Sequence, residues 1–345
     1  MKHKVAFLVG WLSVRALWAQ APVDPYLGDW QGTVRLEGGA EQNVAAYLIP
    51  HGEGNYEAKM VSAFDQRVPT LFQLRCRFEN GGFRAVNAIP FDASHVVGTT
   101  DQGVVVRASL WSGTMAGQTL RGQVAGAQKG EFNLSPTQRP SPALGKPPPA
   151  GAVVVFDGRS LDAWTPRDPN ARAVRWKLVE GGAMEVSGGD IMTREKFGDV
   201  RVHLEFRTPY MPHDRGQGRG NSGVYVAGRY EVQVLDSYGL EGEDNECGGI
   251  YQIARPAVNR CAPPLQWQTY DVTFHLAKTD AAGKKTTNAR ITVMHNGVII
   301  HDNLELPRLT GGALDNRESE AGPLLLQDHG NPVRFRNIWI EKLGP

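Results

Sequence analysis

Between Asn221 and Asp236 the chain alternates polar and apolar side chains on both sides of one tight connection, Ala227-Gly228. Successive side chains of a strand point to opposite faces. Val224 and Val226 therefore share one face, and Asn221, Gly223 and Tyr225 the other. Beyond the connection, Val232 and Val234 share a face, while Tyr230, Glu231 and Gln233 lie near or on the opposite one. Two adjacent strands result, with an apolar face for a core and a second face carrying an amide, a phenol, a carboxylate and another amide. A face of this kind suits a sugar, which offers hydroxyls to hydrogen-bond and a ring face to stack.

The same short-period patterning recurs along the chain. A proline-rich stretch, Ser135 to Ala150, divides it. Proline supplies no donor to a sheet and stiffens a connection, so residues 135–150 read as a linker. The 345 residues suffice for two domains of roughly 100–200 residues each. Residues 22–134 open with Tyr26 to Val34 and continue as short runs at Val44–Ile49, Tyr56–Val61, Leu71–Phe78, Phe83–Val86, Gly103–Leu110 and Thr119–Val124. Gly and Asn punctuate them, which predicts a small antiparallel barrel or roll. That part carries no His, Asp and Glu cluster, so its expected role is accessory.

Residues 151–345 are equally rich in strand signals. Asn296-Gly297 between two apolar runs is the strongest hairpin signal in the chain. Val202, Leu204 and Phe206 alternate with Arg201, His203, Glu205 and Arg207. Near the C-terminus Val333, Phe335 and Asn337 oppose Arg334, Arg336 and Ile338. No amphipathic helix stands out. So many strands in under about 200 residues imply two stacked sheets, a β-sandwich, and an all-β chain overall.

The formal charge of +1 gives no reason to expect a nucleic-acid or membrane-surface partner. Lys2, His3 and Lys4 precede an apolar run from Val5 to Leu12, and Ala19-Gln20-Ala21 offers a small-x-small cleavage site. Residues 1–21 thus read as an export signal, with cutting after Ala19 as an alternative because Pro22 disfavours cutting after Ala21. Export would leave a periplasmic or secreted protein with no membrane segment. It would also permit disulfides. Cys247 and Cys261 bracket one short segment and form the expected pair, leaving Cys76 as a buried thiol. No Gly-x-Ser-x-Gly elbow, phosphate loop or dinucleotide fingerprint occurs. His203, His213, His301 and His329 lack ligand spacing, so a divalent metal is left open.

A collinear set of pieces then points to a family. They are Val155-Phe156-Asp157-Gly158 through Trp164, Gly198-Asp199-Val200 leading into Glu205-Phe206-Arg207, and Gly220-Asn221-Ser222-Gly223-Val224-Tyr225. Tyr230-Glu231-Val232-Gln233-Val234-Leu235-Asp236, Trp267 to Asp271, His295-Asn296-Gly297 and Leu326-Gln327-Asp328-His329-Gly330 follow, and Val333 to Ile338 closes the set. In this order they resemble the 3-keto-disaccharide hydrolase domain, over residues 151–345 and not over residues 22–134. The resemblance implies a concanavalin A-like jelly roll that cleaves glycosides whose glucose ring carries a ketone at carbon 3. Such chemistry needs one base and donors for an enolate oxygen.

Retaining glucanases of the same broad fold place Glu-x-Asp-x-(x)-Glu on one strand. Here Gln233 stands at the central Asp position, and Gln does not ionise. That argues against double displacement and leaves Glu231 as a lone base. Glu205 is the rival carboxylate, and either residue can instead be half of an ion pair. His329, after Asp328, is the third catalytic candidate. Arg219, Asn221, Tyr225, Gln233, Asp236, Tyr251 and Gln327 are the candidate sugar-binding residues. A non-catalytic carbohydrate-binding module and an ordinary glycosidase stand as alternatives.

Overall fold

The computed structural model describes residues 24–88, 109–126 and 128–344. The expected export signal therefore lies outside the described residues, as does most of the run Gly103–Leu110. Among the described residues there is no α-helix, and no helix is long and apolar enough to cross a membrane.

Eight antiparallel strands close into a barrel: β1 (Gly28–Leu36), β2 (Gln42–Gly52), β3 (Asn55–Val61), β4 (Thr70–Glu79), β5 (Gly82–Ala88), β6 (Ser109–Ala116), β7 (Thr119–Gly126) and β8 (Gly130–Pro136). Closure leaves no free sheet edge. Its interior is filled by side chains, with Trp30, Trp111, Phe83, Phe132 and Leu120 all buried. The closing strand β8 was not among the expected ones, and it extends to Pro136, into the stretch read as linker. Its Glu131-Phe132-Asn133-Leu134 alternation is only four residues long, and the following proline reads as a stop. Pro136 sits at the strand's last position, where a missing donor costs little.

The second part is a sandwich. Its strands are β9 (Val153–Phe156), β10 (Trp164–Pro166), β11 (Lys177–Val179), β12 (Ala183–Glu185), β13 (Ile191–Thr193), β14 (Val200–Arg207), β15 (Ser222–Val226) and β16 (Tyr230–Val234). They continue with β17 (Gln268–His275), β18 (Lys278–Thr279), β19 (Lys285–Thr287), β20 (Ala289–His295), β21 (Val298–Leu306), β22 (Leu325–Leu326) and β23 (Arg334–Lys342). The smaller sheet runs β10-β13-β22-β15-β16; the larger runs β11-β12-β23-β14-β17-β20-β21, with β9 on β23. Val224, Val226, Val232 and Val234 of the smaller sheet share one core with Val202, Leu204, Phe206, Val272 and Phe274 of the larger. Asn296 and Gly297 both take positive φ and join β20 to β21, as the dipeptide predicts.

One alternation is broken. Asn337 has φ 47° and sits at a bulge, where the β14–β23 register shifts between His203 and Glu205. The extra residue flips the parity. Ile338 enters the core, and Asn337, expected beside Phe335, joins the polar face with Arg336.

The proline-rich segment is docked. The Ser141 and Thr269 hydroxyls lie 2.6 Å apart, Gly145 N–H donates to Glu205 at 2.6 Å, and Lys146 donates to Asp271 at 2.9 Å. It straps the outer face of the larger sheet.

Candidate active site

Because the valines of β15 and β16 point into the core, Tyr225, Glu231 and Gln233 lie on the outward face of the smaller sheet. Loops cover that face. Glu231 is 3% exposed and Tyr225 1%. The Tyr225 hydroxyl lies 2.8 Å from Glu231 Oε2 and 3.0 Å from Gly311 O, the two acceptors open to its proton. Gln327 Nε2 donates to that hydroxyl at 3.3 Å. Thr310 Oγ1 accepts the Glu231 N–H at 2.9 Å.

Glu231 pairs with no cation among the described residues. Burial pushes its carboxyl up to about 7, against the pull of the Tyr225 hydrogen bond and with help from the Asp190 charge. Asp190 is itself tied to Arg167 at 3.0 Å and to the Asp328 N–H at 2.8 Å. Burial, and then the neighbouring Glu231 charge, raise the Tyr225 phenol far above its ordinary value, so it stays a neutral donor. A carboxyl poised near neutrality in a mostly dry site is suited to take a proton and return it.

Gly223 makes room for this carboxyl. A Cβ there would overlap Glu231 Oε1 and come within 3.1 Å of the Tyr225 ring. Gly312, at φ +77°, closes the other side, where a Cβ would lie 2.8 Å from the Tyr225 hydroxyl.

An amide network borders the carboxyl. Gln217 Oε1 accepts from Asn221 Nδ2 at 3.2 Å and from Gln233 Nε2 at 3.0 Å, and Gln217 Nε2 donates to Asn245 O at 2.8 Å. Asn221 is 1% exposed, and its Oδ1 meets no donor among the described residues. A buried acceptor left open beside a candidate base fits a ligand hydroxyl. Gln217, Thr310 and Asp190 were not singled out from sequence. The glycines on either side of Gln217 were the only local signal, since loop residues reach a site through tertiary packing.

The expected residues do not all meet. Glu205 faces outward from the larger sheet, so the sandwich core separates it from Glu231. There it accepts from Gly145 N, from Asn337 at 3.0 Å and from Arg336 at 2.6 Å, and His203 lies between it and Asp271. Burial works against its charge, but these hydrogen bonds outweigh it and hold the carboxyl at about 2. It anchors the strap. Glu205→Ala is expected to cost about 1–3 kcal/mol or more by leaving the half-buried Arg336 guanidinium and the Gly145 and Asn337 donors without their acceptor, without changing turnover by the folded protein. In urea unfolding, the loss should be full above the ordinary carboxyl value of 4.5 and shrink as pH falls towards 2.

Arg219 and Asp236 are buried together, Arg219 Nε donating to Asp236 Oδ2 at 2.6 Å, so they hold a loop base and not an open ligand position. Tyr251 is half-buried at the rim, beside Gly311, and its N–H donates to Glu231 O at 3.2 Å. His329 is exposed on the turn after β22 and hydrogen-bonds no described residue. Among the described residues no three His, Cys, Asp or Glu side chains converge to hold a metal ion.

The expected disulfide is corrected: Cys247 and Cys261 are both free, buried thiols that lie side by side. The segment between them is held by the backbone instead, Gly248 N–H to Gln233 O at 3.0 Å and Gln233 N–H to Gly249 O at 2.9 Å. Cys76 is also free and buried.

The fold and site define a two-layer β-sandwich with one buried carboxyl among amides and a phenol on a sheet face, an arrangement suited to a carbohydrate. Comparison with known proteins agrees. The sequence profile of the 3-keto-alpha-glucoside-1,2-lyase-like domain matches residues 151–341, and the chain belongs to this family. A Parabacteroides distasonis crystal structure at 2.13 Å, described as a candidate glycosyl hydrolase, is 34% identical. The match covers 56% of this chain and 84% of that one with a TM-score of 0.51. A second candidate glycosyl hydrolase of that organism, at 1.70 Å, is 20% identical over 56% of this chain and 94% of that one, with a TM-score of 0.43. No curated protein matches the chain.

Proposed function

We propose that this chain is an exported enzyme that cleaves 3-keto-glycosides by elimination and rehydration, with Glu231 as the base. The observation that carries the reading is the buried Glu231 carboxyl, raised to about 7 with no cation among the described residues to neutralise it. A ketone at carbon 3 acidifies the hydrogen on carbon 2. Glu231 takes that proton, and the electron pair of the C2–H bond forms an enolate on the carbon 3 oxygen. The enolate collapses to a C1=C2 double bond with the carbon 3 ketone restored as the C1–O bond breaks, and the departing oxygen takes the proton from Glu231 and leaves as an alcohol. Water then adds, its oxygen to carbon 1 and a proton to carbon 2, giving the free 3-keto sugar. Net hydrolysis results with no redox change.

The neighbouring groups support this division of labour. Tyr225, on the Glu231 carboxyl, and Gln327, on the Tyr225 hydroxyl, are neutral donors suited to steady an enolate oxygen. Asn221 Oδ1 is suited to accept a sugar hydroxyl. Residues 1–21 would act as the export signal, placing the enzyme in the periplasm or outside the cell.

The test is incubation of the purified protein in deuterated water with a 3-keto-glucoside beside its unoxidised parent, read by mass spectrometry. Cleavage of the keto sugar alone, with deuterium at carbon 2, is expected. Cleavage of the parent sugar would point to an ordinary glycosidase, and binding without turnover to a carbohydrate-binding module. The kcat/KM profile should rise with pH through about 7 as Glu231 ionises in the free enzyme. A profile flat from pH 5 to 8 would remove Glu231 from the role.

A further inference from the structure

Two loops complete the surroundings of Glu231, and the barrel grips both. The first runs from Thr208 to Asn221 and delivers Gln217 and Asn221. Along it the Tyr210 hydroxyl donates to Asp24 Oδ2 at 2.7 Å, and Arg215 donates to His51 of β2. The His213 ring sits so close over Gly52 that a Cβ there would collide with it. The second loop runs from Ser237 to Tyr251 and delivers the Asn245 carbonyl and Tyr251. Along it the Tyr238 hydroxyl donates to Asp29 Oδ1 of β1 at 2.9 Å. Lys59 of β3, 8% exposed, donates to Gly239 O at 3.2 Å and pairs with Glu241. Arg67 donates to Gly242 O at 2.8 Å and to Pro256 O at 3.1 Å. Gly239, at φ +75°, is pressed against Ile49 and Tyr47 of β2, where a Cβ would overlap Ile49.

We propose that the barrel is a positioning domain for the Glu231 site, setting the two loops whose amides hold Gln233 and Asn221. The proposal rests on the reading of Glu231 as the base. The described residues of the barrel place no reacting group at Glu231. Asn221 reaches its open orientation through Gln217, and Gln217 is braced on Asn245, so each loop depends on the other. Glu231 itself is held by the β15–β16 ladder, to which the second loop adds the Tyr251 N–H bond to its carbonyl. Loosening the barrel's grip should therefore weaken sugar binding, because the loops must then order when substrate arrives, and should spare the proton transfer.

The full-length Lys59→Met/Arg67→Ala double variant tests this, with Lys59→Arg as the conservative control and Tyr210→Phe for the first loop. Amide hydrogen exchange over residues 208–221 and 237–251 is read beside kcat, KM and the pH profile. Exchange in the second loop should quicken by about tenfold or more in the double variant. KM for the 3-keto-glucoside should rise about tenfold, with kcat within about threefold and the rise near pH 7 unmoved. Lys59→Arg should restore KM, and Tyr210→Phe should quicken exchange in the first loop. A merely structural contact would lower the melting temperature yet leave loop exchange and KM at wild-type values, and that result overturns the proposal. A fall in kcat with KM unchanged overturns it as well. Should the wild-type protein cleave no keto-glycoside, the Glu231 reading fails separately. Loop exchange then decides the barrel's hold: quickened exchange upholds it, and unchanged exchange overturns it.

Discussion

Glu231→Gln is expected to lower turnover of a 3-keto-glucoside by about 10²–10⁴-fold while keeping affinity for the sugar within about threefold. The substitution is nearly isosteric. It keeps an acceptor for the Tyr225 hydroxyl and removes only the ability to take a proton. Calorimetric titration of the variant with a 3-keto-glucoside separates the two effects. Undiminished turnover would sink the assignment, and lost binding would recast Glu231 as a ligand-holding residue.

A second consequence follows from the same burial. The folded protein holds the Glu231 proton more tightly than the unfolded chain, with a pKa of about 7 against an ordinary 4.5. The folded state thus binds more protons between those values, and Glu231 stabilises the fold at low pH. That stability is lost as pH rises through about 7. Gln cannot ionise, so Glu231→Gln should melt higher than the wild type at pH 8 and about level with it at pH 4. The gain at pH 8 is bounded at a few kcal/mol by roughly 1.4 kcal/mol per pKa unit. A structural glutamate bound to a cation would show the opposite sign.

Gly223→Ala is expected to cut kcat/KM by about 10²-fold, because displacing a reacting group by an ångström is enough for a loss of that size. The added methyl would overlap Glu231 Oε1 and crowd the Tyr225 ring, so the carboxyl must rotate away from its present position. Overpacking costs about 1–3 kcal/mol, so the fold should survive. Adding Glu231→Asp in the Gly223→Ala background shortens the side chain and relieves the overlap. The double variant should then recover more activity than the product of the two single effects predicts, in a double-mutant cycle. Strict additivity, or a Gly223→Ala variant as active as wild type, would mean that the carboxyl position does not limit the reaction.

Much of this site was legible in the order of residues. Period-two alternation placed Tyr225, Glu231 and Gln233 on one face before any fold was known, since a strand has only two faces. The absence of an ionisable partner at Gln233 already set Glu231 apart. Glycine at position 223 could be read as a place of close approach, but not as the seat of Glu231 Oε1, because that overlap joins residues of two strands. The alternation around Glu205 was equally clean and pointed to the same conclusion, yet Glu205 serves the strap. Periodicity says that a side chain lies off the core; it does not say which outer face of a two-sheet sandwich it occupies. The bulge at Asn337 was hidden for a related reason, since a positive φ at an asparagine leaves no mark on the alternation until the partner strand is seen.

The sequence by itself determined an all-β chain, the hairpin turn at Asn296-Gly297, the family to which residues 151–341 belong and the polar face that carries Glu231. These depend on local alternation, turn chemistry and ordered motifs, all written within a few residues of one another. Only the tertiary structure decided that Glu231 and Glu205 stand on opposite sides of the core, that Arg219 and Asp236 are bound to each other, and that the strap covers Glu205. It alone also brought Thr310 to the Glu231 backbone, the Asp190 charge near its carboxyl and Gln217 to Asn221 and Gln233, and laid the barrel against the loops that carry Gln217 and Asn245. Those relations join residues tens to hundreds of positions apart, and they arise when two sheets stack and loops find partners across them, which no short window of sequence contains.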